Sequence, residues 1–169
     1  PGGRLKGYVV LVRDVSERRK TEEELRLLTL SDPLTGAGNR RCGQDALTAA
    51  LESADRTGRS ASVLLLDIDN FKSINDEHGH EGGDQALKAV VEVCRAVCRK
   101  DDTVARWGGD EILVVLPGVG RRVAQDIALR VRHAVEILRL DAGRGTLRIT
   151  TSIGVASATG GCASSLMRC

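Results

Sequence analysis

Trp107-Gly108-Gly109-Asp110-Glu111-Ile112 is the stretch on which the reading of this chain turns. Two consecutive glycines let a β-hairpin reverse sharply and hold two carboxylates at its tip. Thr103 to Trp107 reads as a short strand leading into the turn. Ile112 to Leu116 is an apolar, β-branched run leaving it, closed by Pro117-Gly118. A glycine-rich turn that carries acids also occurs as a plain solvated loop, so its meaning rests on what lies beside it.

The second acidic element is Val63-Leu64-Leu65-Leu66-Asp67-Ile68-Asp69, a buried-strand pattern running into two aspartates spaced to share one face. Such a strand is expected to set Asp67 beside the hairpin. Clustered carboxylates repel by about 4 kcal/mol per pair at about 4 Å and an effective dielectric of about 20, so they must be protonated, splayed apart or neutralised by a cation. Oxygen-only ligands favour Mg2+ or Mn2+, and the main-chain carbonyl of Ile68 can complete a site in which the metal keeps waters and phosphate oxygens.

Beyond Asp69, residues Asn70 to Asp76 read as a loop or short helix, followed by a polar turn through His78-Gly79-His80-Glu81-Gly82-Gly83-Asp84. Amides at a helix start can hold phosphate, and Lys72 can add a point charge to a triphosphate. Asn75 and Asp84 offer a donor and an acceptor suited to a purine edge. The alternatives are a turn-forming Asn75 and an Asp84 that N-caps a helix over Gln85 to Val97. The two nearby histidines, His78 and His80, are read as orienting the loop by hydrogen bonds rather than as metal ligands.

Together these motifs resemble the GGDEF domain, the catalytic domain of bacterial diguanylate cyclases. The resemblance spans most of the chain: Asp32-Pro33-Leu34-Thr35-Gly36 with Asn39-Arg40-Arg41, the Asp67 to Lys72 segment, Asn75-Asp76, Gly79-His80, Gly83-Asp84, Arg106 to Glu111, and Ser152-Ile153-Gly154-Val155. It implies a homodimer in which each subunit holds one GTP with Mg2+ (or Mn2+), and each ribose 3′-hydroxyl attacks the α-phosphate of the opposite nucleotide. The products are cyclic di-GMP and pyrophosphate. By the same resemblance Asp67, Asp110 and Glu111 ligate metal with the Ile68 carbonyl, and Asp110 and Glu111 are the catalytic acids. Asn70, Phe71, Lys72, Gly108 and Gly109 contact substrate, and Asn75 and Asp84 read guanine. A site built to bond the guanine edge rejects adenine, because its polar groups would be left unpaired.

Arg99-Lys100-Asp101-Asp102 matches the family's Arg-x-x-Asp inhibitory motif, which implies feedback by cyclic di-GMP through Arg99 and Asp102. Arginine forks suit phosphate or guanine edges, although a charged helix end has the same letters. Arg130 on the next helix is a further candidate there. Two departures stand out. Position 112 is Ile where the family's signature ends in phenylalanine; an apolar strand residue there should face the core. The tail after Ala156 does not match the helix and closing strand with which the family continues. That departure motivates a second reading, a catalytically weak domain that binds GTP or cyclic di-GMP and signals.

Residues 1–14 resemble the last strand of a PAS sensory domain, and residues 15–30 a linker helix whose Leu25 and Leu28 offer a thin stripe for a two-stranded coiled-coil seam or else a solvated spacer; residues 31–169 resemble a GGDEF domain without its C-terminal helix and strand. The fold class expected is α/β (α+β), a mixed central sheet packed by helices, which the resemblance sharpens to a polymerase-palm-like, ferredoxin-related architecture with a protruding N-terminal helix. The expected order is helix 40–54, strand 62–68, helices 71–76 and 84–97, the hairpin, helix 123–138 and strand 147–155. The chain has 169 residues and a formal net charge of +2, with aromatics at only 2%, which argues against a stacking platform for a nucleic-acid polymer. Five cysteines without a C-x-x-C pair argue against a disulfide framework or structural zinc and for a cytoplasmic setting, with Cys94 and Cys98 as core-facing residues. No apolar run is long enough to span a membrane.

Overall fold

The computed structural model describes residues 30–141 and 145–160. The PAS-like strand and all of the linker helix except Leu30 therefore lie outside the described residues, as does the chain after Gly160.

The first helix, α1 (Arg40–Thr57), starts where Asn39 accepts a hydrogen bond from the Cys42 amide at 3.0 Å, and it ends at Gly58 in the left-handed conformation. Strand β1 (Ser60–Ile68) follows, then the long helix α2 (Phe71–Val97). The hairpin is β2 (Thr103–Gly108) and β3 (Glu111–Pro117), and α3 (Arg121–Glu136) comes next. A short ribbon of β4 (Leu140–Asp141) and β5 (Thr146–Leu147) precedes the last described strand, β6 (Thr151–Thr159). The sheet order is β2-β3-β1-β6 with every neighbour antiparallel, and one isolated parallel bridge joins Gly38 to Ala105. Helices between β1 and β2 and between β3 and β6 make this the split βαβ pattern of ferredoxin-like folds.

Alternation along β1 assigns its two faces. Leu64, Leu66 and Ile68 are fully buried against α2 and α3, in one core with Leu87, Val90 and Val131. Ala61 joins a second core under α1 with Leu51, Leu113 and Val115. Removing one of these leucine side chains would cost about 3 kcal/mol. Ile112 is fully buried opposite Leu66, so replacing the family's aromatic alters packing inside the core, as the sequence suggests. Cys94 is fully buried and Cys98 partly so, also as expected; burial pushes their thiols up to about 12 and about 11 respectively.

The polar turn expected between Asp76 and Asp84 is instead helix. One helical element runs from Phe71 to Val97, broken only at Gly79, whose φ of 75° is left-handed. Asp84 is therefore inside the helix and caps nothing. The expected strand over 147–155 is divided: Leu147 pairs with Leu140, residues 148–150 are irregular, and β6 continues to Thr159.

The hairpin is braced from outside. Arg106 Nε and Nη2 donate to the Gly109 carbonyl at 2.9 and 2.8 Å, while Nη1 reaches Asp32 Oδ2 at 3.3 Å. Asp32 is itself held by the Thr35 amide and hydroxyl at 2.9 and 2.7 Å, and the Arg106 amide donates to Gly38 O at 2.7 Å. Burial pulls the Asp32 carboxyl upward, but the Thr35 donors and the Arg106 charge outweigh it and leave the group below its ordinary value. Arg106→Ala is expected to destabilise the fold by about 1.5–3 kcal/mol in urea titration, the range for hydrogen bonds to charged groups. Because Asp32 is lowered in the fold, its contribution is complete above the unfolded carboxyl pKa and is lost as pH falls through the folded one. The stability gap between the wild type and Asp32→Asn should therefore shrink in acid; a constant gap would contradict the assignment.

Candidate functional site

Burying the even-numbered residues of β1 forces Asp67 onto the opposite, exposed face. The antiparallel register sets Asp67 directly across from Glu111 on β3 and from Ser152 on β6. Gly109 and Asp110 form the two-residue tip between paired Gly108 and Glu111; a positive φ at Gly109 and not at Asp110 is what a type II′ turn needs. A register shift between Arg106 and Gly108 leaves Trp107 as an extra residue on β2, and Arg40 stacks over its ring at 5.1 Å.

The acids feel one another. Partial desolvation, followed by the charges of Asp110, Glu111 and Asp69, holds the Asp67 carboxyl above its ordinary value. Asp69 shifts the other way: hydroxyls of Thr150 and Ser152 donate to it at 2.6 and 2.7 Å and keep it ionised. Among the described residues no three His, Cys, Asp or Glu side chains form a ready-made cage for a metal ion. The acids thus share a field without closing on one point.

Asn70, at the junction of β1 and α2, is the one non-glycine residue with positive φ (56°) among those described. It makes no side-chain cap, which leaves the first-turn amides of α2 uncapped by a side chain. Lys72 is exposed on that turn. Asn75 and Phe71 lie against Gly83, where a Cβ would overlap the Asn75 side-chain oxygen and come within 3.1 Å of the Phe71 ring. Asn75 therefore meets the segment that carries Asp84, although the two are nine positions apart. His78 Nδ1 is buried without a hydrogen-bond partner, so that nitrogen does not orient the segment as expected.

At the far end of α2 the Arg99 amide donates to Asp102 Oδ2 at 2.7 Å, and the Asp102 amide donates to Arg99 O at 3.1 Å. The loop is thus closed on itself, with the Arg99 residue exposed and one Asp102 oxygen already engaged. Arg95, Lys100 and Arg99 border a small depression there, and Arg130 lies within electrostatic range of Cys98 on the same side. A broader groove between α3 and β6 touches Asp69, Thr150 and Ser152 but not the hairpin acids. Chemistry rather than size locates the site.

Sequence reading did not find the Arg106–Asp32 brace or the grip of Thr150 and Ser152 on Asp69. The Asp-Pro-x-Thr turn has a local signature, because Asp and Thr side chains bond backbone two or three residues on. The other pairings join residues more than seventy positions apart and have none.

The fold agrees with that of known proteins. Probable diguanylate cyclase DgcC of Escherichia coli (strain K12) is 38% identical over 136 residues, which is 80% of this chain and 36% of that protein. Cyclic di-GMP phosphodiesterase PdeR of the same organism is 36% identical over 142 residues, 84% of this chain and 21% of that protein. The chain thus spans about a third or less of these curated relatives. The crystal structure of the coiled coil and GGDEF domain of DgcB from Caulobacter crescentus in complex with c-di-GMP superposes with a TM-score of 0.82 at 30% identity, covering 90% of this chain and 82% of that one. With the family model for "Diguanylate cyclase, GGDEF domain" matching residues 29–168, this chain belongs to the GGDEF domain family.

Proposed function

We propose that this chain is the output domain of a diguanylate cyclase, condensing two GTP into cyclic di-GMP in a homodimer and subject to inhibition by its product. The observation that carries this reading is that Asp67 on β1 lies across from Glu111 on β3 and within the field of Asp110 at the hairpin tip, at one end of the sheet. Such a field favours a divalent cation, and the all-oxygen donor set fits Mg2+ or Mn2+. Asp67, Asp110, Glu111 and the Ile68 carbonyl would hold it, with nucleotide phosphates supplying the remaining ligands. When bound, the ion neutralises the triphosphate and lowers the pKa of the attacking hydroxyl.

In this reading each 3′-oxygen bonds the α-phosphorus of the opposite nucleotide, the bond to the β-phosphate oxygen breaks, and pyrophosphate leaves. Glu111, across from Asp67 in the ladder, would support the cation or take up the hydroxyl proton. The uncapped start of α2, with Phe71 and Lys72, suits the phosphates, while Gly108 and Gly109 let backbone approach them without side chains. Asn75 and Asp84 read guanine, and Asn70 shapes the turn that presents them. Arg99, with the free oxygen of Asp102, takes cyclic di-GMP. The setting proposed is the cytoplasm, where GTP is available; among the described residues no helix is long and apolar enough to cross a membrane.

Chromatography of a GTP and Mg2+ incubation should show cyclic di-GMP, and Asp110→Asn should abolish it while sparing the fold. Binding of GTP without product, after removal of bound cyclic di-GMP, would instead favour the signalling-module reading. Gly83→Ala should displace Asn75 and raise KM for GTP by about tenfold or more, as expected when a polar group that reads the base is lost; an unchanged KM would remove Asn75 from guanine recognition.

Asp67 offers a pH test. Its folded pKa is raised, so its ionised form opposes folding at neutral pH and the penalty disappears as pH falls through that pKa. Asp67→Asn should therefore raise the melting temperature of the metal-free protein at pH 7, with the gain fading in acid, and should blunt stabilisation by Mg2+ with GTP. A lower melting temperature at pH 7 would contradict this.

A further inference from the structure

Asp69 lies two residues beyond Asp67 and shares its charge, yet its surroundings are of another kind. Its Oδ2 accepts from Thr150 Oγ1 at 2.6 Å and its Oδ1 from Ser152 Oγ at 2.7 Å, so both carboxylate oxygens are engaged by hydroxyls of one short segment. The Asp69 amide donates to Thr150 O at 3.1 Å. Between them the buried Thr151 donates its hydroxyl to the Asp67 carbonyl at 2.8 Å. Three consecutive hydroxyl residues thus grip Asp67 and Asp69 on either side of the Ile68 carbonyl. These bonds are short and, at Asp69, charge-assisted, which makes them strong orienting contacts.

The backbone just past this grip needs holding. Asn70 adopts φ 56° immediately after Asp69, in the left-handed region, which asparagine enters more readily than most side-chain-bearing residues but which still turns the chain sharply away from β1. Without an anchor at Asp69, the end of β1 would be free to relax, and the Asp67 side chain and Ile68 carbonyl would relax with it.

We propose that Asp69 is a positioning residue rather than a cation ligand: held by Thr150 and Ser152, it locks the end of β1 so that Asp67 and the Ile68 carbonyl face the hairpin acids in a fixed orientation. The inference rests on the proposed cation site for its consequence, and on the hydrogen bonds alone for its structural half. It accords with the general logic by which partners of a ligand orient the ligand and sustain metal affinity.

The test uses the full chain in two arms. In the first, GTP binding is followed by calorimetry against Mg2+ concentration. Asp69→Ala is expected to raise the Mg2+ needed for half-maximal binding by about 10–100-fold, the usual penalty for removing such a partner. Asp69→Asn should fall between Asp69→Ala and the wild type, because its amide keeps one acceptor oxygen. Ser152→Thr should retain near-normal Mg2+ dependence where Ser152→Ala does not. An Mg2+ requirement unchanged in Asp69→Ala would overturn the proposal, as would an Asp69→Asn protein as defective as Asp67→Asn, which would mark Asp69 as a ligand.

The second arm needs neither metal nor nucleotide. Amide hydrogen exchange in EDTA should quicken at residues 68–70 in Asp69→Ala, while the amides of β3 exchange as in the wild type. Unchanged exchange at 68–70 would sink the locking role. If Asp69→Ala does not fold, Thr150→Val and Asp69→Asn carry both arms. A wild-type protein that binds no GTP would fail the cyclase reading, and the exchange arm would still decide the lock.

Discussion

Antiparallel pairing of β1 with β3 is the constraint that creates the candidate site, because it fixes Leu66 opposite Ile112 and, one step later, Asp67 opposite Glu111. Side chains alternate along a strand, so the same pairing that buries Leu64, Leu66 and Ile68 turns Asp67 outward. A slip of one residue would exchange the faces, burying an aspartate and exposing leucines. Core packing therefore sets the position of the acids without any local preference for clustering. Their mutual repulsion is tolerated because the face is open to water and the hydrophobic contribution of the register is larger.

The cost of that arrangement is visible at Asp67, whose carboxyl is held above its ordinary value by partial desolvation and by its neighbours. A carboxylate kept in an unfavourable field is poised for a cation, since a positive charge relieves the repulsion as it binds. The hairpin has its own support. Arg106 grips the Gly109 carbonyl and leans on Asp32, so the glycine tip is held at its base while its backbone remains free of side chains. Flexible residues are thereby given a defined position.

Legibility in the letters depends on period and punctuation. Strand β1 and the hairpin can be read because apolar alternation and paired glycines are local signals. The segment from Asp76 to Asp84 cannot. Gly79, Gly82 and Gly83 suggest a turn together, but only Gly79 departs from helical geometry. Gly82 and Gly83 are buried inside the helix, and Gly83 is small so that Asn75 and Phe71 can approach it. A glycine that makes room and one that makes a bend have the same letter, and tertiary contact alone separates them. The same limit hides the Arg106–Asp32 pair, whose members are 74 positions apart.

Asp67 and Asp69 show how far such contacts decide chemistry. The two acids sit at one strand end with the spacing of a shared face, yet one is raised by desolvation and acidic neighbours and the other is lowered by hydroxyl donors. Strand geometry cannot produce that difference, because it treats positions two apart alike. It arises from β6 and the residue before it, where Ser152 lies across from Asp67 in the ladder yet turns its hydroxyl to Asp69, and where Thr151 takes the Asp67 carbonyl. Asp67 is left with the hairpin acids as its principal electrostatic neighbours, and Asp69 is committed to holding the strand. The division between an acid available to a ligand and an acid engaged in architecture is thus made by a segment more than eighty residues further along the chain.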